Sequence, residues 1–247
     1  LVFVLFGYYF SDKIVLSISH AREVKKEEYP YLFNILEALS IGAGIPQPKA
    51  YVIDDTALNA FATGRDPQHS VVVVTTGIMQ KLNRQELEGV IAHELSHIKN
   101  YDIRLMTLVV VFVGIVALMS DIMIRSFLWG GGRNRDSKGG NFQIILIVIG
   151  IILAILAPII ATLIKLAISR EREYLADASG AYLTRNPEGL ASALEKISGD
   201  KEPLEAANKA TAHLYISNPL KGHTGWFDGM FSTHPKIEER IKRLRGM

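Results

Sequence analysis

Cysteine does not occur anywhere in the chain. A disulfide framework is thereby excluded, and so is a thiolate acting as nucleophile or metal ligand. Excess charge is lacking as well. The 27 Lys and Arg face 25 Asp and Glu, a formal net charge of +2, without the basic footprint that nucleic-acid binding leaves. No internal repeat recurs. A methionine start is missing, and the opening stretch "LVFVLFGYYF" is only ten residues long, too short to cross about 30 Å of bilayer hydrocarbon. It also lacks the basic start and small-residue cleavage site of a signal peptide. Residues 1–10 are therefore expected to be the remnant of a truncated N-terminal transmembrane helix; a buried strand or helix end is the other reading.

What the chain does have is apolar residue in blocks. Of its 247 residues 49% are hydrophobic and 21% charged, and a mean hydropathy of +0.19 conceals a sharp division. Mixed polar sequence fills residues 11–102 and 169–247, and the stretch 103–168 between them holds two long apolar runs. Leu105–Ile124 carries a single charge, Asp121, over twenty residues, and Phe142–Ile164 carries none over twenty-three. About twenty residues of helix cross a bilayer, so each run predicts a transmembrane helix, and together a transmembrane hairpin. The alternative, a buried core helix, fits an uncharged run of that length poorly. The glycine-rich loop 130–141 reads as a flexible connector, with Trp129 at its edge as an interfacial anchor.

The polar parts read as a mainly α fold with a small antiparallel β-sheet. Tyr31, Leu32, Ile35, Leu36 and Leu39 recur at helical spacing, and Gly42, Gly44, Pro46 and Pro48 end that helix. "KAYVIDD" predicts a short strand, "ALNAFATGRDPQHS" a turn-rich connection, and "VVVVTTGIM" a second strand. Asn83 and Glu86 form a capping-box start. The helix they open, "RQELEGVIAHELSHIKNYDIRLM", has no proline and reads as continuous into the first apolar run. Pro187 and Pro235 stand at first-turn positions of two further helices, the second with Ile237, Ile241 and Leu244 along one face.

"HELSH" is the stretch that carries chemistry. His93 and His97 stand one helical turn apart on one face, the spacing with which two imidazoles bind a single zinc ion. Glu94, beside the first of them, is placed to act as general base on a metal-activated water. A catalytic zinc needs a third protein ligand and an open position. In "SREREYLADASG", Glu173 and Asp177 share a helical face. That makes Glu173 a candidate ligand and Asp177 a candidate to steady a ligand histidine from behind. A charged, solvent-facing helix is the competing reading, since Arg170, Glu171 and Arg172 alternate in sign. Spacing alone leaves His20, His69, His213 and His223 as the remaining histidine candidates. Two membrane crossings would return the chain to its starting side, so that both halves of such a site meet at one membrane face.

HELSH followed by two spans, then "EREYLAD" as an ExxxD element, then "STHPKIEERI", together with "NAFATG" at Asn59–Gly64 and the entry "FSDKIVL…AREV", resembles the HtpX-like family of membrane zinc metalloproteases over essentially the whole chain. The resemblance implies a membrane-anchored, zincin-like protease domain holding one zinc ion on His93, His97 and Glu173, with Glu94 as catalytic base and Asp177 behind the ligands. It puts His234 and Arg240 at the oxyanion of the tetrahedral intermediate. It also implies a multi-pass protein of the prokaryotic cytoplasmic membrane whose active site faces the cytoplasm. The expected substrates are peptide segments of membrane proteins, damaged or misfolded ones among them. Asn59, Ala60, Val71, Val72 and Val73 are expected to bind substrate, the segment Val71–Thr75 as the sheet edge to which an extended peptide adds; an ordinary interior strand is the other reading. Two rivals remain on sequence grounds. One is a narrow-specificity peptidase of the CAAX prenyl protease type; the other is a non-catalytic zinc-binding membrane scaffold, which would have no use for Glu94.

Overall fold

A computed structural model describes residues 9, 12–130, 148–157, 160, 169–200, 202–205, 211, 214–217 and 235–247. Its elements in chain order are β1 (Arg22–Glu23), α1 (Pro30–Ala43), β2 (Lys49–Ile53), β3 (Ala60–Gly64), β4 (Ser70–Thr75), α2 (Thr76–Lys81), α3 (Arg84–Lys99), α4 (Asp102–Gly130), α5 (Val148–Ala157), α6 (Arg170–Thr184), α7 (Pro187–Gly199) and α8 (Ile237–Leu244).

The organising element is α3. Its N-terminus carries the capping box read from the sequence: Glu86 N–H donates to Asn83 Oδ1 at 3.0 Å and Asn83 N–H donates to Glu86 Oε2 at 2.8 Å. That same Glu86 is buried and accepts from Lys196 Nζ and Ser192 Oγ on α7, each at 2.7 Å. The cap therefore fixes the helix start and docks the neighbouring helix at once. From Leu87 to Ile98 every side chain but that of Glu88 is buried or faces a neighbouring element, with Leu87, Val90, Ile91, Leu95 and Ile98 fully enclosed.

Backbone-close packing brings the second half of the chain onto α3. A Cβ built on Gly89 would lie 2.7 Å from the backbone N of Leu190 on α7, and one built on Gly180 of α6 would lie 3.0 Å from the backbone N of His93. Residues before the apolar runs (Val24 to Ile103) and after them (Ala181 to Leu244) share one hydrophobic core.

The four-stranded sheet has the order β1-β2-β4-β3. It is mixed, which corrects the antiparallel expectation: β2 and β4 run parallel, while β1/β2 and β3/β4 are antiparallel. The segment "NAFATG", read as part of a connection, supplies a strand of its own, β3. The "VVVV" strand is not the sheet edge, because β4 is paired on both sides, with Lys49–Ile53 and with Ala60–Gly64. The physical reason lies in its composition. A continuous run of valine has no polar face to give to water and is accommodated between two layers. Alternation along β4 sends Val72 and Val74 into the helical core and Val71 and Val73 to the opposite face. The strand also ends at Thr75, whose side chain accepts from Ile78 N–H and starts α2.

The helix bearing the histidines does not run on into the apolar segment. It stops at Lys99, and Tyr101 adopts a left-handed conformation with φ +61° before α4 begins at Asp102. The first turns of α4 then pack on the sheet through Met106, Val109 and Val110, with Thr107 donating to Gly64 O at 3.2 Å. Beyond that contact Leu118, Ile122 and Ile124 are exposed. Asp102–Arg125 is long and apolar enough to cross a membrane, 24 residues with a mean hydropathy of 2.5 and 24% of its most apolar stretch buried. Of the second expected span, α5 and Ile160 are described, and α5 exposes Val148, Ile151 and Ile155. Nearly all of residues 1–10 and all of the 130–141 loop after Gly130 lie outside the described residues.

Gly89→Ala should therefore lower the thermal midpoint of the purified protein, measured by circular dichroism in detergent, because the methyl meets the α7 backbone. Overpacking of this kind costs about 1–3 kcal/mol, or about 2–4 °C per kcal/mol for a chain of this size. Gly199→Ala, where nothing lies within 4 Å of the added carbon, should cause no such loss. Equal midpoints for both variants would mean that α3 and α7 do not pack as described.

Candidate metal centre

His93 and His97 project from one face of α3, and both are buried. Their Nε2 atoms are 3.2 Å apart and the rings stand perpendicular with centroids 4.8 Å apart. Glu173 arrives from the first turn of α6, where acidic residues are favoured by the helix dipole and Ser169 caps the end by accepting from Arg172 N–H. Its Oε1 lies 3.5 Å from His97 Nε2 and its Oε2 3.8 Å from His93 Nε2. One ligand atom from each of the three residues falls within 4.8 Å of the others.

Each ring is aimed by a carboxylate on its far side. Asp177 Oδ1 lies 3.0 Å from His93 Nδ1, and Asp102 Oδ2 lies 3.0 Å from His97 Nδ1. With Nδ1–H donating to a carboxylate in each ring, the lone pair of each Nε2 points at the other. A proton or a metal cation between the two Nε2 atoms, 3.2 Å apart, removes the repulsion of those lone pairs. Zinc fits this donor set: bonds of about 2.0–2.1 Å in a tetrahedron give edges of about 3.3–3.4 Å between ligand atoms.

Arg240 of α8 is fully buried beneath the ligands. Its Nε and Nη2 donate to the two oxygens of Asp177 at 2.8 and 2.7 Å, and its Nη1 lies 3.4 Å from Ile216 O and 3.6 Å from Glu173 Oε2. Burial alone would raise the Asp177 carboxyl, but the charge and hydrogen bonds of Arg240, with help from His93, hold it down at about 2. Burial, together with the Arg240 charge, lowers the proton affinity of His93. For His97 burial acts the same way but is outweighed by the Asp102 hydrogen bond and by Glu173 and Glu94, which push it up to about 9. Burial, reinforced by Glu173, raises the Glu94 carboxyl to about 7 against the pull of His97 and a hydrogen bond from the backbone of Ala62.

The structure thus brings together His93, Glu94, His97, Glu173, Asp177 and Arg240. Arg240 lies against the ligands, its Nη2 3.5 Å from His93 Nε2, with Nε and Nη2 engaged by Asp177. His234 lies outside the described residues, as do His213 and His223. His69 is turned to Asp66 at 2.7 Å, apart from the cluster. Val71, Val72 and Val73 sit in the interior strand β4, where both neighbours already use the backbone. The edge beside the centre is β3, and it is closed at one point by the chain itself: Ile216 N–H donates to Ala60 O at 3.0 Å, and Asn59 Nδ2 donates to Ser217 O at 3.2 Å. Sequence reasoning missed Asp102. On one continuous helix a residue five positions after His97 points elsewhere; only the break at Tyr101 turns it back.

Known proteins resemble this chain over nearly its whole length. The sequence profile of the peptidase family M48 matches residues 26–247. A protease HtpX homolog of Dictyoglomus thermophilum is 57% identical over 242 residues, covering 98% of this chain and 77% of that protein. One of Caldanaerobacter subterraneus subsp. tengcongensis is 52% identical, covering 98% and 80%, and one of Listeria monocytogenes serotype 4a is 47% identical, covering 96% and 80%. Among solved structures, the crystal structure of S. mikatae Ste24p matches with a TM-score of 0.55 at 19% identity, over 98% of this chain and 55% of that one. That last likeness is one of fold.

Glu173→Ala should strip the purified protein of metal after dialysis, whereas Glu171→Ala, two positions earlier and exposed, should keep it. Elemental analysis decides the matter: equal retention in the two variants would remove Glu173 from the ligand set.

Proposed function

The chain belongs to peptidase family M48 and is a metalloprotease, and from that premise we propose that it is a zinc-dependent endopeptidase, anchored in the cytoplasmic membrane, that cuts membrane proteins at the cytoplasmic face. The observation that carries this reading is the junction of two features: His97, a member of the cluster, stands five residues before α4, the helix apolar enough to cross a bilayer. A site fixed a few helical turns from the exposed apolar part of α4 meets peptide segments as they leave the membrane. Membrane-protein quality control, the removal of damaged or misfolded chains, is the role this placement suits.

His93, His97 and Glu173 would hold the zinc ion, which when bound would supply Lewis acidity toward the scissile carbonyl and lower the pKa of a water to about 7. Glu94 takes a proton from the attacking water as its oxygen bonds to the carbonyl carbon, and returns that proton to the nitrogen of the departing amine when the C–N bond breaks. Asp177 and Asp102 hold the imidazoles in the tautomer that leaves Nε2 free. Arg240 keeps Asp177 ionised and in place and lies 3.6 Å from Glu173 Oε2. His234 remains the donor we assign to the oxyanion, from its match to the family element. Backbone recognition falls to β3, the sheet edge whose Ala62 N–H already reaches Glu94. An extended peptide adds there as a further strand with little side-chain selectivity.

The test uses the full chain in proteoliposomes with three substrates: a destabilised membrane protein, casein and a prenylated peptide. The wild type should cleave the first two and require metal for it. Glu94→Gln should retain zinc and lose activity by about 10²–10⁴-fold, the usual contribution of a general base. Near-wild-type turnover by that variant would remove Glu94 from the chemistry, and cleavage confined to the prenylated peptide would replace the substrate class.

A further inference from the structure

Asp102 is the first residue of α4 and is buried, with an exposure of 2%. Its two oxygens serve different partners. Oδ2 lies 3.0 Å from His97 Nδ1, and Oδ1 accepts from Arg172 Nη1. Arg172 immediately precedes Glu173. One carboxylate therefore touches the ring of one ligand and the residue next to another, and it does so from the helix that leads into the apolar run.

The backbone is shaped for this. On an unbroken helix a residue five positions after His97 would be rotated about 140° away from it. Tyr101 instead takes φ +61°, which residues other than Gly, Asn and Asp seldom adopt. The turn is held by Tyr101 N–H on Ile98 O at 3.1 Å and Arg104 N–H on Tyr101 O at 3.2 Å, with the Arg104 guanidinium over the Tyr101 ring at 5.2 Å. Ile103, fully buried, anchors the next residue in the core. A strained turn kept in place by three separate contacts indicates that the direction of Asp102 matters.

We propose that Asp102 is a positioning residue of the metal centre: it orients His97, and through Arg172 it fixes the α6 turn that presents Glu173, so that the ligand geometry is set from the first turn of the membrane helix. The inference rests on the metal-binding reading given above. A carboxylate on Nδ1–H fixes the ring and its tautomer and makes Nε2 a stronger ligand. Asp177 does the same for His93 from within the ExxxD element; Asp102 supplies the partner that the sequence motif leaves without an author in that element.

The experiment measures zinc affinity of the full detergent-solubilised chain by competition with a chromophoric chelator, for the wild type, Asp102→Ala, Asp102→Asn and Asp121→Ala. Asp121 lies on the same helix in an exposed pair with Arg125 and serves as the control. Asp102→Ala should bind zinc about 10–100-fold more weakly. Asp102→Asn, which keeps an acceptor oxygen but not the charge, should fall between it and the wild type. Asp121→Ala should match the wild type. The visible absorption of the cobalt-substituted protein should change in both Asp102 variants, and the metal-free thermal midpoint of Asp102→Asn should stay near the wild-type value, a combination that a role in folding alone does not produce. If Asp102→Ala does not fold, the affinity and cobalt spectrum of Asp102→Asn decide. Wild-type affinity and an unchanged spectrum in a folded Asp102 variant would overturn the proposal and leave the zinc reading intact. A wild-type chain that binds no zinc would overturn both.

Discussion

The contact between α6 and α3 at Gly180 and His93 is the constraint on which the rest of the molecule depends. With no side chain at position 180, the two helices approach to within a methyl group of each other, 3.0 Å from the His93 backbone nitrogen to where a Cβ would stand. That approach places Glu173 and Asp177, one turn apart on α6, on either side of the His93 ring. The capping box at Asn83 and Glu86, the Glu86–Lys196 pair and the Gly89–Leu190 contact serve the same end by locking α7 alongside. Chain segments more than seventy residues apart in sequence thus form one core and one donor set.

Electrostatics explains how such a core can hold a cation. Glu94, Asp102, Glu173 and Asp177 are all buried, each with an exposure of 2%, whereas Arg240 is fully buried and Arg172 keeps 36% of its side chain exposed. Each uncompensated buried charge costs several kcal/mol; among the described residues Arg240, Arg172 and His97, the last pushed up to about 9, stand against these carboxylates. A divalent ion at the Nε2 atoms would take the place of the proton on His97. Arg240 and Asp177 then read as permanent scaffolding, two ions that neutralise each other with bidentate geometry and hold the floor of the site.

Much of this was legible in the amino-acid sequence, and what was not has identifiable causes. The histidine pair, the capping box and the Glu173/Asp177 pair follow helical spacing, a local rule that needs no knowledge of the fold. β3 escaped because Ala60–Gly64 is only five residues long and is flanked by the turn residues Asn59, Asp66 and Pro67, and the strand exists through its pairing with β4 and its burial. The valine run was read as a candidate edge because sequence reports that a strand is apolar, not how many neighbours it has. Asp102 escaped because its position depends on a single backbone angle at Tyr101, and Tyr carries no turn signal. The contact of Ile216 with the β3 edge joins residues far apart in sequence and has no local trace at all. Helical patterns were therefore readable residue by residue, whereas sheet order and chain reversals were settled by tertiary packing.

The claim at the centre of this account is that two sequence-distant halves hold one zinc ion through two imidazoles and one carboxylate. X-ray absorption at the zinc edge of the purified, zinc-loaded chain tests it directly. The account predicts one zinc per chain, a shell of nitrogen and oxygen at about 2.0–2.1 Å, and outer-shell scattering from two imidazole rings that is lost in a His93→Ala, His97→Ala double variant. A six-coordinate oxygen shell without imidazole scattering, or a zinc signal indifferent to that double substitution, would contradict it.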